Sequence, residues 1–205
     1  KYYKALKSLG APVDFVRDTM DLSAYPVLVV PAYQQMSKPL IDKLTRYTEQ
    51  GGHLVMSVRT AHQNEKGHLW ETPHAAPIYH LLGASIPFYD LLRPHAPDTV
   101  VMEGERYGWT SWGDVLEPNE GTESWARFAG DFYEGKTAVT HQAYGQGSVT
   151  YVGADSHQGR LEQAVLTKLF ERLNLPIENY PPGVLVEYRD GLGIAMNYSD
   201  KDYEM

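Results

Sequence analysis

The chain has 205 residues, a net charge of −8 and no cysteine. That length fits one generous domain, or one domain with a small appendage, and the negative balance disfavours nucleic acid and anionic membrane as partners, because binding phosphate needs a basic surface. The missing thiol excludes disulfides, thiolate zinc sites and a cysteine nucleophile, and no apolar run approaches the about 18 residues of a membrane span.

In chain order, Tyr2–Leu9 reads as a short helix with Tyr2, Tyr3, Leu6 and Leu9 near one face, and Gly10 suits the position past its end. Val13–Val16 reads as a short strand and Asp18–Tyr25 as a polar connection. Val27–Val30 (VLVV) is a β-branched run of the kind found in strands buried on both faces. Ser37 is an N-cap candidate, Pro39 sits in the first turn, and Leu40, Ile41, Leu44 and Tyr47 form an apolar stripe. Gly51-Gly52 stop this helix, and His53–Val58 (HLVMSV) is the next buried strand. Buried strands separated by crossovers predict parallel pairing and the α/β class.

Arg59–Pro73 is a long polar connection of the kind that is often functional. His74–Leu82 reads as a short helix closed by Gly83, and Ala84–Leu92 as a strand with a bend at Pro87. Thr99–Met102, Arg106–Val115 and Ser124–Phe132 suggest an inserted antiparallel patch. Lys136–Tyr144 and Ser148–Val152 flank Gly145-Gln146-Gly147, a hairpin signal. A helix over Gln158–Leu173 carries Leu161, Ala164, Val165, Leu169 and Leu173. After the linker Pro181-Pro182-Gly183, Val184–Tyr188 and Leu192–Tyr198 form a hairpin turning at Asp190-Gly191. Two strands alone are marginal, so 183–205 is expected to be the truncated start of a small C-terminal β domain. Beginning with neither Met nor a strand, the chain reads as a piece of something longer, and Lys1-Tyr2-Tyr3 does not read as a signal peptide.

The candidate chemistries are weak. A nucleophile elbow at Ser57 lacks the G-x-S-x-G glycines, and Met56 and Val58 are too bulky for the turn. His62, His68, His74 and His80 recur at a spacing that no helical metal site uses. Asn64-Glu65 and Asn119-Glu120 resemble the Asn-Glu pair of barrel glycosidases, but neither follows a strand directly. Gly145–Gly147 joins two strands and so is a turn, and Asp155 would repel an anion beside Gly153. Trp70, Trp109, Trp112 and Trp125 are sugar-stacking candidates, with packing at an interface the favoured reading.

Taken together, YYKALKSLGAPVDFV, DLSAYPVLVVPA, SKPLIDKLTRYTEQGGHLVMSVRT, KGHLWE with PIYHLLGASI, and YGQGSVTYVGAD before a C-terminal helix resemble the middle domain of family-42 glycoside hydrolases, bacterial β-galactosidases. The order and spacing of these stretches over Lys1–Leu175 carry the resemblance. It implies a flavodoxin-like, class I glutamine amidotransferase-like fold over 1–178: a mostly parallel sheet flanked by helices, with the antiparallel insertion and the C-terminal hairpin stub. It also implies trimerisation, no cofactor, and catalytic glutamates in an upstream barrel absent from this chain. The family's first middle-domain strand would lie before Lys1.

The expectation is therefore a non-catalytic homotrimerisation domain of a β-galactosidase. Galactoside would be met only through the missing barrel, and neither nucleic acid nor membrane is a partner. A cytoplasmic location is favoured over a secreted one. Arg59, His62, Asn64, Glu65, His68 and Trp70 are the candidate subunit-interface or active-site-rim residues. The alternatives are a free-standing amidotransferase-like enzyme using Ser57 or His157, and a carbohydrate-binding module using the tryptophans.

Overall fold

A computed structural model describes residues 1–93, 98–178, 180–181, 183–189 and 191–204. In chain order the elements begin with α1 (Tyr2–Ser8), β1 (Val27–Val30), β2 (Gln35–Met36), α2 (Lys38–Glu49), β3 (His53–Ser57) and β4 (Gln63–Asn64). A 3₁₀ turn leads into α3 (Tyr79–Leu82), followed by β5 (Ala84–Leu91), β6 (Asp98–Met102), β7 (Glu105–Pro118), β8 (Glu123–Phe128), β9 (Thr137–Tyr144), β10 (Gly147–Val152) and β11 (Ala154–Ser156). The last elements are α4 (Arg160–Arg172), β12 (Val184–Arg189) and β13 (Leu192–Asn197). Contacts divide the chain into two units, Lys1–Val16 with Gln158–Met205, and Arg17–His157.

The larger unit is built on a nine-stranded sheet in the order β1-β3-β10-β9-β8-β6-β7-β11, with β5 also paired to β7. Parallel pairing joins β1 to β3 and β3 to β10. All the other pairs of this sheet are antiparallel. The 14-residue β7 is its spine. It pairs with β5, β6 and β11, then reaches β9 at Leu116–Thr137, which closes β7, β6, β8 and β9 into a barrel-like ring.

This overturns the expected mostly parallel sheet flanked by helices, and with it the flavodoxin-like and class I glutamine amidotransferase-like assignment. The reason lies in the connections. A parallel pair needs a crossover of about a dozen residues or more, and α2 supplies one between β1 and β3. From β5 to β10 the short turns around Gly104, Gly121 and Gly145 leave no room for crossovers, so neighbouring strands run antiparallel. The supposed insertion is the larger part of the sheet. The strand expected at Val13–Val16 does not form; Phe15 is exposed there and stacks on Tyr3 with ring centroids 5.7 Å apart.

Local sequence explains the elements that do form. The Ser37 hydroxyl accepts the Leu40 N–H at 3.3 Å, Pro39 occupies the first turn, and Ile41, Leu44 and Tyr47 are buried. α2 packs on β3 and β10, and α3 against β5, β9 and β10. β5 carries its irregularity between Ser85 and Phe88, around Pro87. Within α4 the buried positions are Leu161, Glu162, Val165, Leu166, Leu169 and Phe170, whereas Ala164 and Leu173 are half-buried. In the smaller unit α1 packs on α4, and β12 pairs with β13 as a two-stranded sheet. Pro182 of the predicted linker and Asp190 of the predicted turn lie outside the described residues. Lys7 on α1 is fully buried; its ammonium donates to the Val186 carbonyl at 2.8 Å and pairs with Glu187 at 2.9 Å.

The β9–β10 turn sits against the end of α2. A Cβ on Gly147 would lie 2.0 Å from the Gly52 carbonyl oxygen and 2.7 Å from that of Thr48. Gly147→Ala is expected to destabilise the protein by about 1–3 kcal/mol through overpacking, read as a lower urea midpoint with an unchanged slope.

Candidate functional site

Where β3 ends, the chain is pinned on both sides. Ser57 is buried, and its hydroxyl accepts the Ala32 N–H at 2.9 Å, which makes it a brace between two strand ends. The Val58 N–H bonds the Val152 carbonyl at 3.0 Å. The chain then turns through left-handed residues, Arg59 (φ 67°) and Ala61 (φ 55°). Each such non-glycine conformation costs on the order of 1–3 kcal/mol and persists only where its surroundings enforce it. Here they do: the Ala61 N–H bonds the Tyr33 carbonyl and the Gln63 N–H that of Gln34, both at 2.9 Å, and β4 pairs with β2.

The loop so rooted has an ordered tip. Asn64 Oδ1 accepts the N–H groups of Lys66 (2.9 Å) and His68 (3.1 Å), while Glu65, Lys66, His68 and Leu69 are exposed. Trp70 is half-buried and donates its indole N–H to the Ala61 carbonyl at 2.8 Å. Of the six predicted residues, Arg59, His62, Asn64 and Trp70 thus frame the loop, and Glu65 and His68 face outward.

Beneath the root lies Asp114 of β7, with no solvent exposure. Oδ1 accepts the Trp112 indole N–H at 2.8 Å; Oδ2 accepts the Tyr151 hydroxyl at 2.7 Å and the Arg59 backbone N–H at 3.3 Å. His74 Nε2 lies 3.3 Å from Oδ1, within ion-pair range though out of line for a hydrogen bond. β7 comes this close because of Gly153, where a Cβ would sit 2.7 Å from both the Ala138 and Asp114 carbonyl oxygens. That glycine's N–H is taken by Ala138 O, and Asp155 accepts from the Ser111 hydroxyl at 2.9 Å. The stretch is a packing point, not an anion cradle.

Rings cover the carboxylate. Tyr89 stacks on Trp112 with centroids 4.4 Å apart at 13°, and the Arg59 guanidinium stands 4.8 Å from the Trp112 ring centroid while donating to Gln34 Oε1 at 3.1 Å. His62 Nδ1 meets His74 Nδ1 at 3.0 Å, and His62 packs edge-on to Tyr89 and Trp112. Burial, then the neighbouring His74 and Arg59, hold the His62 imidazole below its ordinary value, against the opposing pull of Asp114.

The remaining candidates are scattered. His80 contacts Thr45 Oγ1 at 3.1 Å and His68 is exposed, so only His62 and His74 of the four histidines meet. Among the described residues no group of three or more His, Cys, Asp or Glu side chains has metal-binding geometry. Glu65 and Glu120 are exposed. Trp109, Trp112 and Trp125 are 0%, 9% and 5% exposed, so their faces pack inside the protein and are not open to sugars. Sequence reasoning missed Asp114, Tyr89 and Tyr151; the available signal was a lone carboxylate in the apolar run Trp112–Leu116, since a buried charge needs assigned partners.

The family model described as the β-galactosidase trimerisation domain matches residues 1–177. β-Galactosidase BgaH of Haloferax lucentense is 31% identical over 97% of this chain and 30% of its own length. BgaB of a Geobacillus strain is 33% identical over 92% of this chain and 28% of its own length. The chain therefore spans less than a third of these relatives. Among solved structures, the β-galactosidase of Halorubrum lacusprofundi superposes with a TM-score of 0.89 at 28% identity, over 97% of this chain and 30% of that one. That of Rahnella sp. R3 gives 0.88 at 25%, over 96% and 31%.

Asp114→Ala is expected to cost about 3–5 kcal/mol, because it strands the buried donors of Trp112 and Tyr151. Chemical denaturation followed by tryptophan fluorescence measures this. Glu120→Ala, at an exposed turn, should stay within about 0.5 kcal/mol of the parent.

Proposed function

The chain belongs to the β-galactosidase trimerisation domain family, and on that premise we propose that three copies associate, within a longer protein that hydrolyses terminal β-D-galactosides. In this reading the domain's part is mechanical: it arranges copies around a threefold axis. Residues 1–178 are the associating domain, 183–205 begin a small β domain, and galactoside is met through a barrel outside this chain. The acidic net charge speaks against nucleic acid or anionic membrane as a further partner.

The observation that carries the reading is the family match over residues 1–177. The proposed contact is the loop 59–73, with Arg59, His62, Asn64 and Trp70 as its frame and Glu65 and His68 on its outer side. Two features support it. The root is fixed by backbone bonds, so little ordering is lost when the loop meets a partner. Around it Tyr33, Leu69, Tyr89 and Leu91 leave apolar surface exposed, and aromatic side chains are typical anchors at interfaces.

Leu69 is 63% exposed, so Leu69→Glu removes an apolar contact without disturbing the buried cluster. Light scattering is expected to give a mass near three chains for the parent protein and a shift toward one for the variant. An unchanged variant mass removes the loop from the interface, and a monomeric parent at micromolar concentration removes the trimer itself. Release of nitrophenol from a nitrophenyl β-galactoside by the full-length protein tests the activity.

A further inference from the structure

The least expected feature of the site is the approach of His62 Nδ1 to His74 Nδ1 at 3.0 Å. Two imidazoles facing through the same pair of nitrogens can share one proton. One ring donates N–H and the other accepts with its lone pair. When both rings are fully protonated, both facing nitrogens carry hydrogen and the contact becomes a repulsion between two donors and two cations. His62 belongs to the loop 59–73, and His74 lies beyond that loop's far end. The bond therefore ties the loop to the chain segment that leads into α3.

We infer that the His62–His74 pair is a one-proton latch that fastens loop 59–73 and opens when a second proton arrives. The charges around it set the direction. Arg59, on the loop itself, adds a cation beside His62. Asp114 from β7 lies against His74 and is the carboxylate that can hold one imidazolium. Its oxygens are already engaged by Trp112, Tyr151 and the Arg59 backbone, so it has little left to stabilise a second. Tyr89 from β5 contacts both imidazoles and Tyr79 on α3 faces the Asp114 charge; as neutral phenols they add no compensating charge. Burial also penalises a charge on His62.

Because the attached state holds His62 below its ordinary value, the detached loop binds the proton more readily. Attachment is complete above the ordinary histidine value of about 6.5 and weakens progressively as pH falls below it. The amides that report attachment are those of Ala61 and Gln63, bonded to Tyr33 and Gln34. The consequence for assembly, that acid loosens the subunit contact, rests on the role proposed above for the loop.

Amide hydrogen exchange of the full-length protein, corrected for the intrinsic pH dependence of exchange, tests the latch. From pH 7.5 to 5.0 the opening of residues 59–64 is expected to rise severalfold, while the β9–β10 amides stay unchanged. His62→Gln, which keeps a hydrogen-bonding group without a titratable one, should flatten that rise, as should His74→Gln. The His62 ring resonance followed by NMR over the same pH range, protonating below the ordinary imidazole value, is the readout if a variant misfolds. A parent loop whose protection does not change with pH, or an equal rise in His62→Gln, overturns the inference. Mass measured by light scattering at the same pH values keeps the two readings apart. A protein that is monomeric throughout defeats the trimer but leaves the latch standing, and a trimer with a pH-insensitive loop does the reverse.

Discussion

A carboxylate removed from water must find partners, because an unpaired buried charge is among the costliest things a fold can contain. Asp114 meets that condition by gathering donors that no single stretch of chain provides: an indole two residues away, a tyrosine from β10 and the backbone of Arg59, two residues past β3, with the His74 imidazole within ion-pair range. The carboxylate consequently ties the end of β3 and strand β10 to β7, in addition to the β9–β10 ladder that already joins the parallel strands to the antiparallel ring. The left-handed turn at Arg59 is held there too, since its N–H points at the same carboxylate. The close approach at Gly153 lets β7 come within reach.

From that point outward the site becomes softer. The carboxylate is dry, the stacked Tyr89–Trp112 pair and the Arg59 guanidinium form a partly covered layer over it, and the tip from Glu65 to Leu69 is in solvent. The root is held by backbone bonds, while the tip carries polar and apolar side chains into solvent. The strand-end position holds a serine whose hydroxyl is spent on a neighbouring turn.

What the sequence discloses follows the range of the interaction. Ser37, Pro39, the apolar stripe of α2 and the Gly51-Gly52 stop act over a few residues, and the helix and strand they define are where they were expected. The Pro87 bend and the Gly145–Gly147 turn are legible for the same reason. The pairing of β7 is not: its partners β5, β6, β9 and β11 come from both sides in sequence, and nothing in Arg106–Val115 announces several neighbours. Asp114 is hidden likewise, since Arg59 and Tyr151 stand 55 and 37 residues away along the chain. The family was legible from the order of several short stretches, yet the sheet type attached to that resemblance was not correct, because strand order depends on crossovers that were assumed beyond the first.

Lys7 carries a different lesson. Its ammonium is satisfied by Val186, 179 positions further along, and by the adjoining Glu187. During synthesis α1 must wait, with its charge still hydrated, until Val186 and Glu187 have emerged. Closing so long a loop is slow relative to local folding, and domains otherwise begin forming from the amino end during synthesis. The smaller unit therefore cannot complete itself until Val186 and Glu187 have been made, later than the local contacts of the larger unit.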